Sequence, residues 1–254
     1  MLYYISIVFM RGFNFMKKFK AFTLAEVLVT LGIIGVVSAM TVPTLMQNYQ
    51  RQSYVTQLHK IYNEFGQAAE RYKADNNLVS IREGCIIGNA DELNAFLKRY
   101  FKVVKDCGGR YWSSASNACF AQVYHSIDGA HSVDLASQSC MVTGVLASGA
   151  AVCLGTGSAT SVKANEDVNH DGVVDENDVI NDTGTNAGMA ISIEVDINGT
   201  KGPNIAGRDF FSFDIAPDGL VLDSRWTDSS TVDTAHAWPV GIGKIIADGW
   251  QMTY

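Results

Sequence analysis

The longest apolar stretch of the chain lies near its N-terminus and predicts a helix long enough to cross a membrane. Three lysines precede it, and residues 27–45 carry no charged side chain. Counted from Phe22, the stretch holds roughly 24 residues, which at 1.5 Å per residue span a bilayer core of about 30 Å. Glu26 alone interrupts it. Because a carboxylate at the bilayer centre costs about 2.5–3.5 kcal/mol on insertion scales, and less near the interface, we expect Glu26 to have a partner.

The helical pattern continues beyond the apolar stretch. In residues 46–76, apolar side chains recur at spacings of three and four and form one stripe about 100° wide, while charged side chains occupy the other faces. The stripe consists of Val55, Leu58, Ile61, Tyr62, Phe65, Ala68, Ala69 and Tyr72. Turn-forming residues at 75–77 predict the end of the helix. We therefore expect one helix of roughly 80 Å over residues 22–76, whose second half offers a face for a sheet to cover.

Residues 77–254 predict an α+β head. A second helix is expected over residues 90–103, capped by Asn89 with Glu92 at the third helical position. The Gly, Ala, Ser and Thr of residues 143–164 predict a loop, and residues 244–250 a last strand or a tail packed on the sheet. Alternating side chains between turn signals predict short strands at residues 118–127, 142–146, 190–197, 210–215 and 220–222. The last three of these strands would form an antiparallel meander.

The N-terminal part of the sequence resembles the type IV pilin-like proteins, which include type IV pilins and the pseudopilins of type II secretion. The resemblance covers residues 16–76. It rests on the basic residues at 17–20, the junction between Ala21 and Phe22, Glu26 as the fifth residue after that junction, and Pro43, where the family often has a helix-bending proline. Ala21 stands where the family usually has Gly, and both are small residues.

The resemblance implies a pilin fold and a structural role in a fibre, not an enzyme. A prepilin peptidase would cut between Ala21 and Phe22 on the cytoplasmic face and methylate the new amine. Residues 1–21 would thus be a leader, and Met16 is the better start. Residues 22–45 would stay in the inner membrane, with the head in the periplasm, until an inner-membrane assembly platform draws the subunit into a periplasmic or cell-surface fibre of pilin-like subunits.

The resemblance also implies a partner for the acid in the apolar stretch. Glu26 would pair with the N-terminal amine of a neighbouring Phe22, because each charge needs a counter-charge inside an apolar bundle. Gly32, Gly35 and Pro43 would weaken the helix between them, by about 1 kcal/mol per Gly and about 3 kcal/mol for an interior Pro.

Other interpretations remain at this point. A secretory signal peptide cleaved after Ala39 would share the lysines and the apolar core, but Glu26 interrupts that core. An ordinary single-pass anchor would also have such a helix. At the level of function, the alternatives are a minor pilin whose head is an adhesin or ligand-binding module, and a membrane-anchored enzyme. The enzyme is disfavoured because the sequence has no GxSxG, HExxH, phosphate-loop or dinucleotide motif.

Net charge and cysteine content fit an exported head. The formal net charge is −7, and removal of residues 1–21 takes away four basic residues, which leaves 15 Lys and Arg against 26 acids, a charge near −11. This balance argues against nucleic-acid binding. All five cysteines follow the apolar stretch and predict disulfides. Spacings of 12 and 13 favour Cys107–Cys119 and Cys140–Cys153, which leaves Cys85 free, but a Cys85–Cys107 pair is nearly as compatible with the sequence.

Residues 167–178 fit a calcium-binding loop. Oxygen ligands occupy positions 1, 3, 5, 7, 9 and 12 of the pattern, and Gly172 lies at position 6. The ligands would be Asp167, Asn169, Asp171, the carbonyl of Val173, Asp175 and Asp178. Asp178 replaces the Glu usual in an EF-hand, as in the loop of dockerin modules. We expect a structural Ca²⁺ there, because four clustered carboxylates repel one another without a cation.

Overall fold

The structure is a computed structural model, and it describes residues 23–108, 119–135, 140–158, 189–223, 232, 234–235 and 237–254. The chain divides into two compact units, Met1–Gln47 and Asn48–Tyr254. A helix, α1, covers Leu24–Asn76 and ends where the sequence predicts. Of the described helices, α1 is the one long and apolar enough to cross a membrane by length and composition.

In the first unit, every described side chain of α1 is exposed. Pro43 lies inside the helix and has no N–H to donate to the carbonyl of Ala39. In the same turn, Thr41 Oγ1 donates to the Val37 carbonyl at 3.0 Å. The helix therefore continues through Pro43 with one fewer backbone hydrogen bond.

The second unit contains the rest of α1, two short α-helices, a 3₁₀ helix and nine strands among the described residues. The short helices are α2, Ala90–Tyr100, and α3, Gly243–Ala247, and the 3₁₀ helix is Ile81–Gly84. The strands are β1 Val103–Gly108, β2 Val123–His125, β3 Ser132–Asp134, β4 Val142–Leu146, β5 Ala151–Ser158, β6 Met189–Asp196, β7 Phe210–Ile215, β8 Val221–Asp223 and β9 Val240–Gly241.

Seven of these strands form one sheet in the order β1-β4-β5-β6-β7-β8, and β9 also pairs with β7. All neighbours along this order are antiparallel, whereas β9 is parallel to β7. Strands β2 and β3 form a separate antiparallel hairpin. Together with the long helix, this arrangement confirms the α+β pilin fold.

Each face of the sheet is covered by a different part of the chain. Because successive side chains of a strand point to opposite faces, Ile193 and Phe213 lie in the core beneath α1, where the Phe65 and Phe213 rings are 5.7 Å apart. All predicted stripe residues of α1 are buried except Tyr62, which packs at the edge of this core. On the opposite face, the β2–β3 hairpin packs Tyr124 on Phe210, with ring centroids 4.1 Å apart.

Several predicted elements have the expected bounds. Strands β4 and β7 have the predicted bounds, and β6 and β8 are each shifted by one residue. In α2, the side chain of Asn89 accepts from the backbone N–H of Asp91 at 3.0 Å and of Glu92 at 3.3 Å, as the capping prediction requires. The helix ends at Tyr100, three residues before the predicted end, because Phe101 adopts an extended conformation and packs its ring 4.4 Å from Phe65.

Other predictions were wrong. Within residues 143–164, predicted as a loop, Ala151–Ser158 form β5 in the middle of the sheet. Its small residues have low strand propensity, but in Ala151–Leu154 pairing on both edges and burial on both faces override that propensity. Of the two alternatives predicted for residues 244–250, the strand is wrong and the packed tail agrees with the structure. Helix α3 covers Gly243–Ala247 with Ile245 buried in the core of the sheet, and Trp250 stacks on His59 with centroids 3.8 Å apart. Strand β1 was not predicted, and of residues 118–127 only Val123–His125 form a strand.

The cysteines pair as the favoured spacing predicts. Cys107 is bonded to Cys119 and Cys140 to Cys153, with Cα atoms 6.1 and 5.9 Å apart, and Cys85 is free and exposed. Both disulfides lie on the face of the sheet away from α1, beside Phe210. They therefore crosslink the face of the sheet that the long helix does not cover.

We predict that peptide mapping without reductant will recover Cys107 linked to Cys119 and Cys140 linked to Cys153, with Cys85 alkylated before reduction. A Cys85–Cys107 peptide would contradict this pairing. Replacing both Cys140 and Cys153 with Ser should lower the free energy of unfolding by about 3 kcal/mol, because the bond closes a loop of 13 residues in the unfolded chain. Cys85→Ser is the control and should leave stability unchanged.

Candidate functional site

The single acid of the apolar helix segment has a partner in its own chain. Thr23 directly precedes α1, and its backbone N–H and its hydroxyl both donate to Glu26 Oε2, at 2.8 and 3.0 Å. In return, the backbone N–H of Glu26 donates to Thr23 Oγ1 at 3.2 Å. This reciprocal pattern is a capping box, which satisfies backbone donors at a helix start.

The capping box changes the interpretation of Glu26. The sequence T-x-x-E at residues 23–26 is a signal for this motif, and the sequence analysis missed it. Glu26 Oε2 accepts both hydrogen bonds that Thr23 donates, and Oε1 has no donor among the described residues. The carboxylate is thus held at the helix start by one oxygen, and its other oxygen is available to a further cation or donor.

The segment of α1 behind Glu26 exposes an apolar surface on all sides. Met40 and Leu45 are each more than 70% exposed. An ideal Cβ placed on Gly32 or Gly35 meets no atom within 4 Å, so the two glycines are not required by packing inside the chain. A helix that is apolar on every face is stable only inside a membrane or against other apolar helices. This part of the chain therefore requires an apolar environment.

Two predicted sites lie outside the described residues. One is the junction between Ala21 and Phe22. The other is the calcium-type loop at residues 167–178, with Asp167, Asn169, Asp171, Val173, Asp175 and Asp178. The strands on either side of this loop are described, and they pair antiparallel with Ser158 opposite Met189. The segment that contains the loop thus leaves and re-enters the sheet at neighbouring positions.

A cluster of buried acids, not found by sequence reasoning, lies where β6 and β7 are connected. Asp196, Asp209 and Tyr124 are completely buried. The Tyr124 hydroxyl donates to Asp196 Oδ2, and the backbone N–H of Asn198 donates to Asp196 Oδ1 at 3.0 Å. The cluster therefore joins the start of the β6–β7 connection to strand β2.

Burial perturbs the ionisation of both carboxyls. Loss of hydration raises the pKa of Asp196 to about 8, and the nearby Asp209 adds to this effect. Burial also raises the pKa of Asp209, although backbone N–H groups of Ile205 and Asn204 oppose the shift. Glu194, two residues before Asp196, has its pKa raised to about 7 by burial and by Asp214.

The sequence contains only part of the signal for this cluster. Strand alternation places Asp196 on the face of β6 away from α1, but its burial depends on Tyr124, which is 72 residues away in the chain. Residues 198–204 were interpreted only as turn chemistry. Among the described residues, no group of three or more His, Cys, Asp or Glu side chains converges as a metal site would require.

Comparison with known proteins finds one match. The family described as the prokaryotic N-terminal methylation motif matches residues 16–42, which include Ala21, Phe22, Glu26 and almost all of the exposed apolar part of α1. No curated protein and no solved structure matches the chain.

This motif is the prepilin-type motif of type IV pilins and pseudopilins, and it implies processing by a prepilin peptidase and a membrane-anchored precursor. The motif covers the start of the chain, and the long helix packed on an antiparallel sheet agrees with it independently. The chain therefore has a prepilin-type N-terminal segment, of the kind found in type IV pilins and pseudopilins, ahead of an α+β head.

Proposed function

We propose that the protein is a structural subunit of a type IV pilus or of a type II secretion pseudopilus. In this proposal a prepilin peptidase cuts between Ala21 and Phe22, and the mature subunit assembles with other pilin-like subunits through the first half of α1. The observation that carries the proposal is the fully exposed apolar segment with one acid at its fifth position, inside the matched methylation motif.

In this proposal, assembly transfers the first half of α1 from one apolar environment to another. In the inner membrane, lipid covers the side chains of residues 24–47, and in a fibre the same residues of neighbouring subunits cover them. Neither state exposes these side chains to water, so the subunit can leave the bilayer without the cost of hydrating them.

Glu26 gives this otherwise non-directional association its register. The N-terminal amine of a neighbouring Phe22 would approach Oε1, while Thr23 keeps Oε2 and so fixes the orientation of the carboxylate. An amine and a carboxylate that meet in an apolar bundle neutralise each other, whereas a mismatched register would leave both charges without a partner.

We also propose that residues 167–178 bind one Ca²⁺ through the ligand set predicted from the sequence. The proposal is supported by six ligand positions in register and by the place of the segment, which connects two neighbouring strands, β5 and β6. The ion would be structural, because it would cancel the repulsion of four carboxylates and order a long connection.

The assembly proposal is tested by comparing Glu26→Gln with Glu26→Ala. Gln can keep the capping box, since S/T-x-x-E and S/T-x-x-Q both form it, but it removes the charge. We expect both variants to insert in the membrane and both to lose fibres, measured by shearing and immunoblotting. Normal fibres from Glu26→Gln together with none from Glu26→Ala would mean that Glu26 only caps the helix, and would contradict the proposed pairing.

Glu64→Gln is the matched control for this comparison. Glu64 is also an acid of α1, but it is partly exposed and lies 3.7 Å from Lys60 in an i,i+4 pair, an interaction that contributes about 0.3–0.5 kcal/mol. Fibre yield from this variant should equal that of the wild type.

Calcium binding is tested by thermal unfolding of the full chain in detergent, with Ca²⁺ and with a chelator. At a Ca²⁺ concentration 100 times the dissociation constant, the ion should add about 2.7 kcal/mol to the free energy of unfolding and raise the melting temperature. Asp171→Asn should reduce this shift, and Asp218→Asn, in the exposed turn before β8, should not. Identical melting curves with Ca²⁺ and with chelator would contradict the proposal.

A further inference from the structure

The connection between β6 and β7, residues 197–209, is held at three places. The backbone N–H of His125 in β2 donates to the Asn204 carbonyl at 2.9 Å, and the N–H of Ala206 returns a bond to the His125 carbonyl at 3.0 Å. The side chain of Asn198 donates to the hydroxyl of Tyr54 on α1 at 3.3 Å. At both of its ends lies a carboxyl of the buried cluster, Asp196 before it and Asp209 at its last residue.

Both carboxyls organise the backbone of this connection. Asp209 accepts from the backbone N–H of Ile205 at 2.7 Å and of Asn204 at 2.9 Å, and Asp196 accepts from the N–H of Asn198 at 3.0 Å. The hydroxyl of Tyr124 ties Asp196 to β2. If these carboxyls moved away from the backbone N–H groups, the connection would lose hydrogen bonds at both ends.

The ionisable groups around the cluster come from β2, α1, β6 and the connection itself. From β2, Tyr124 faces Asp196, and from the connection itself Asp209 does. From α1, the Tyr54 hydroxyl interacts electrostatically with both acids. On β6, the next acid along the strand is Glu194, two residues before Asp196. Among the described residues, no salt bridge joins Asp196 or Asp209 to a Lys or Arg. The connection itself carries Lys201, which is exposed, and Arg208, and the side chain of His125 on β2 is exposed. Two ionised carboxylates buried without a cation are strongly unfavourable, and one bound proton removes most of that cost.

We propose that Asp196, Asp209 and Tyr124 form a proton-dependent clamp, in which a proton bound by Asp196 keeps residues 197–209 closed against β2 and α1, and loss of that proton opens the connection. The clamp is a pH-sensitive device in the head and does not depend on the proposed role in a fibre.

The direction of the pH dependence follows from the two states. In the closed state the pKa of Asp196 is about 8, and in the open state it returns to the ordinary value of about 3.9. The closed state therefore binds a proton that the open state releases. The stabilisation of the closed state by this proton is fully present below about pH 4 and is lost as the pH rises through about 8. Between these values the equilibrium constant for opening rises roughly tenfold for each pH unit.

The test is hydrogen exchange of the full-length chain in detergent, read by mass spectrometry between pH 5 and pH 8 with chelator present. After correction for the intrinsic rates, the protection of peptides from residues 197–209 should fall by roughly tenfold per pH unit in the wild type. In Asp196→Asn, which has no carboxyl to ionise, protection of the same peptides should not change with pH. A wild-type profile as flat as that of the variant would overturn the proposal.

Glu194→Gln is the matched control, because Glu194 is a second acid with a raised pKa on the same face of β6. The clamp predicts that this variant keeps the wild-type pH dependence of residues 197–209. A flat profile in Glu194→Gln and not in Asp196→Asn would overturn it. Full protection at pH 8 on addition of Ca²⁺ in place of chelator, abolished by Asp196→Asn, would mean that a cation and not a proton neutralises the cluster, and would also overturn it.

A measurement on the wild type gives the same answer if Asp196→Asn does not fold. With Asp carboxyl carbons labelled selectively, ¹³C spectra should contain one Asp signal that titrates near pH 8, and Tyr124→Phe should shift that midpoint while the ring remains on Phe210. If every Asp signal titrates below about pH 5, near the ordinary value, the clamp does not exist.

Discussion

Glu26 is the single carboxylate of the apolar first half of α1, and it lies in the first turn of that helix. Apolar side chains around α1 require lipid or other helices, and these surroundings make an unpaired charge costly. Thr23 holds one oxygen of Glu26 within the chain, which places the carboxylate at the helix end without satisfying its charge. In the proposed assembly, the amine of a neighbouring subunit neutralises this charge. That pairing would make an otherwise nonspecific apolar helix surface specific for one partner and one register.

The same helix meets two different environments, and its sequence changes accordingly. Before residue 48, apolar residues cover every face and all are exposed, whereas from Val55 onward they are confined to one stripe that the sheet buries. Within this stripe, the Phe65 ring contacts Phe101 and Phe213 of the head. On the opposite face of the sheet, two disulfides and the β2–β3 hairpin cover Phe210. The head thus has a core on both faces, one tied to α1 and one held partly by covalent bonds.

Periodic patterns predicted the structure well where local sequence and burial agree. The end of α1, the cap at Asn89 and the strands β4 and β7 follow directly from spacing, turn residues and alternation. Strand β5 does not, because Ala, Gly, Ser and Thr signal a loop and only pairing with β4 and β6 makes them a strand. The Thr23–Glu26 box was present in the sequence as a local motif. The Asp196–Asp209 cluster was not, since its burial depends on Tyr124 from a distant hairpin.

The mass of the mature N-terminus shows whether Glu26 can meet the amine of Phe22. If Glu26 is matched to the amine of a neighbouring subunit, the chain isolated from cells must begin at Phe22, and its first peptide must carry one additional methyl group on that amine. Intact-mass and terminal-peptide spectra should both give N-methyl-Phe22. A mature chain that begins at Met40, as after removal of a signal peptide, would lack Glu26 altogether and would contradict the account.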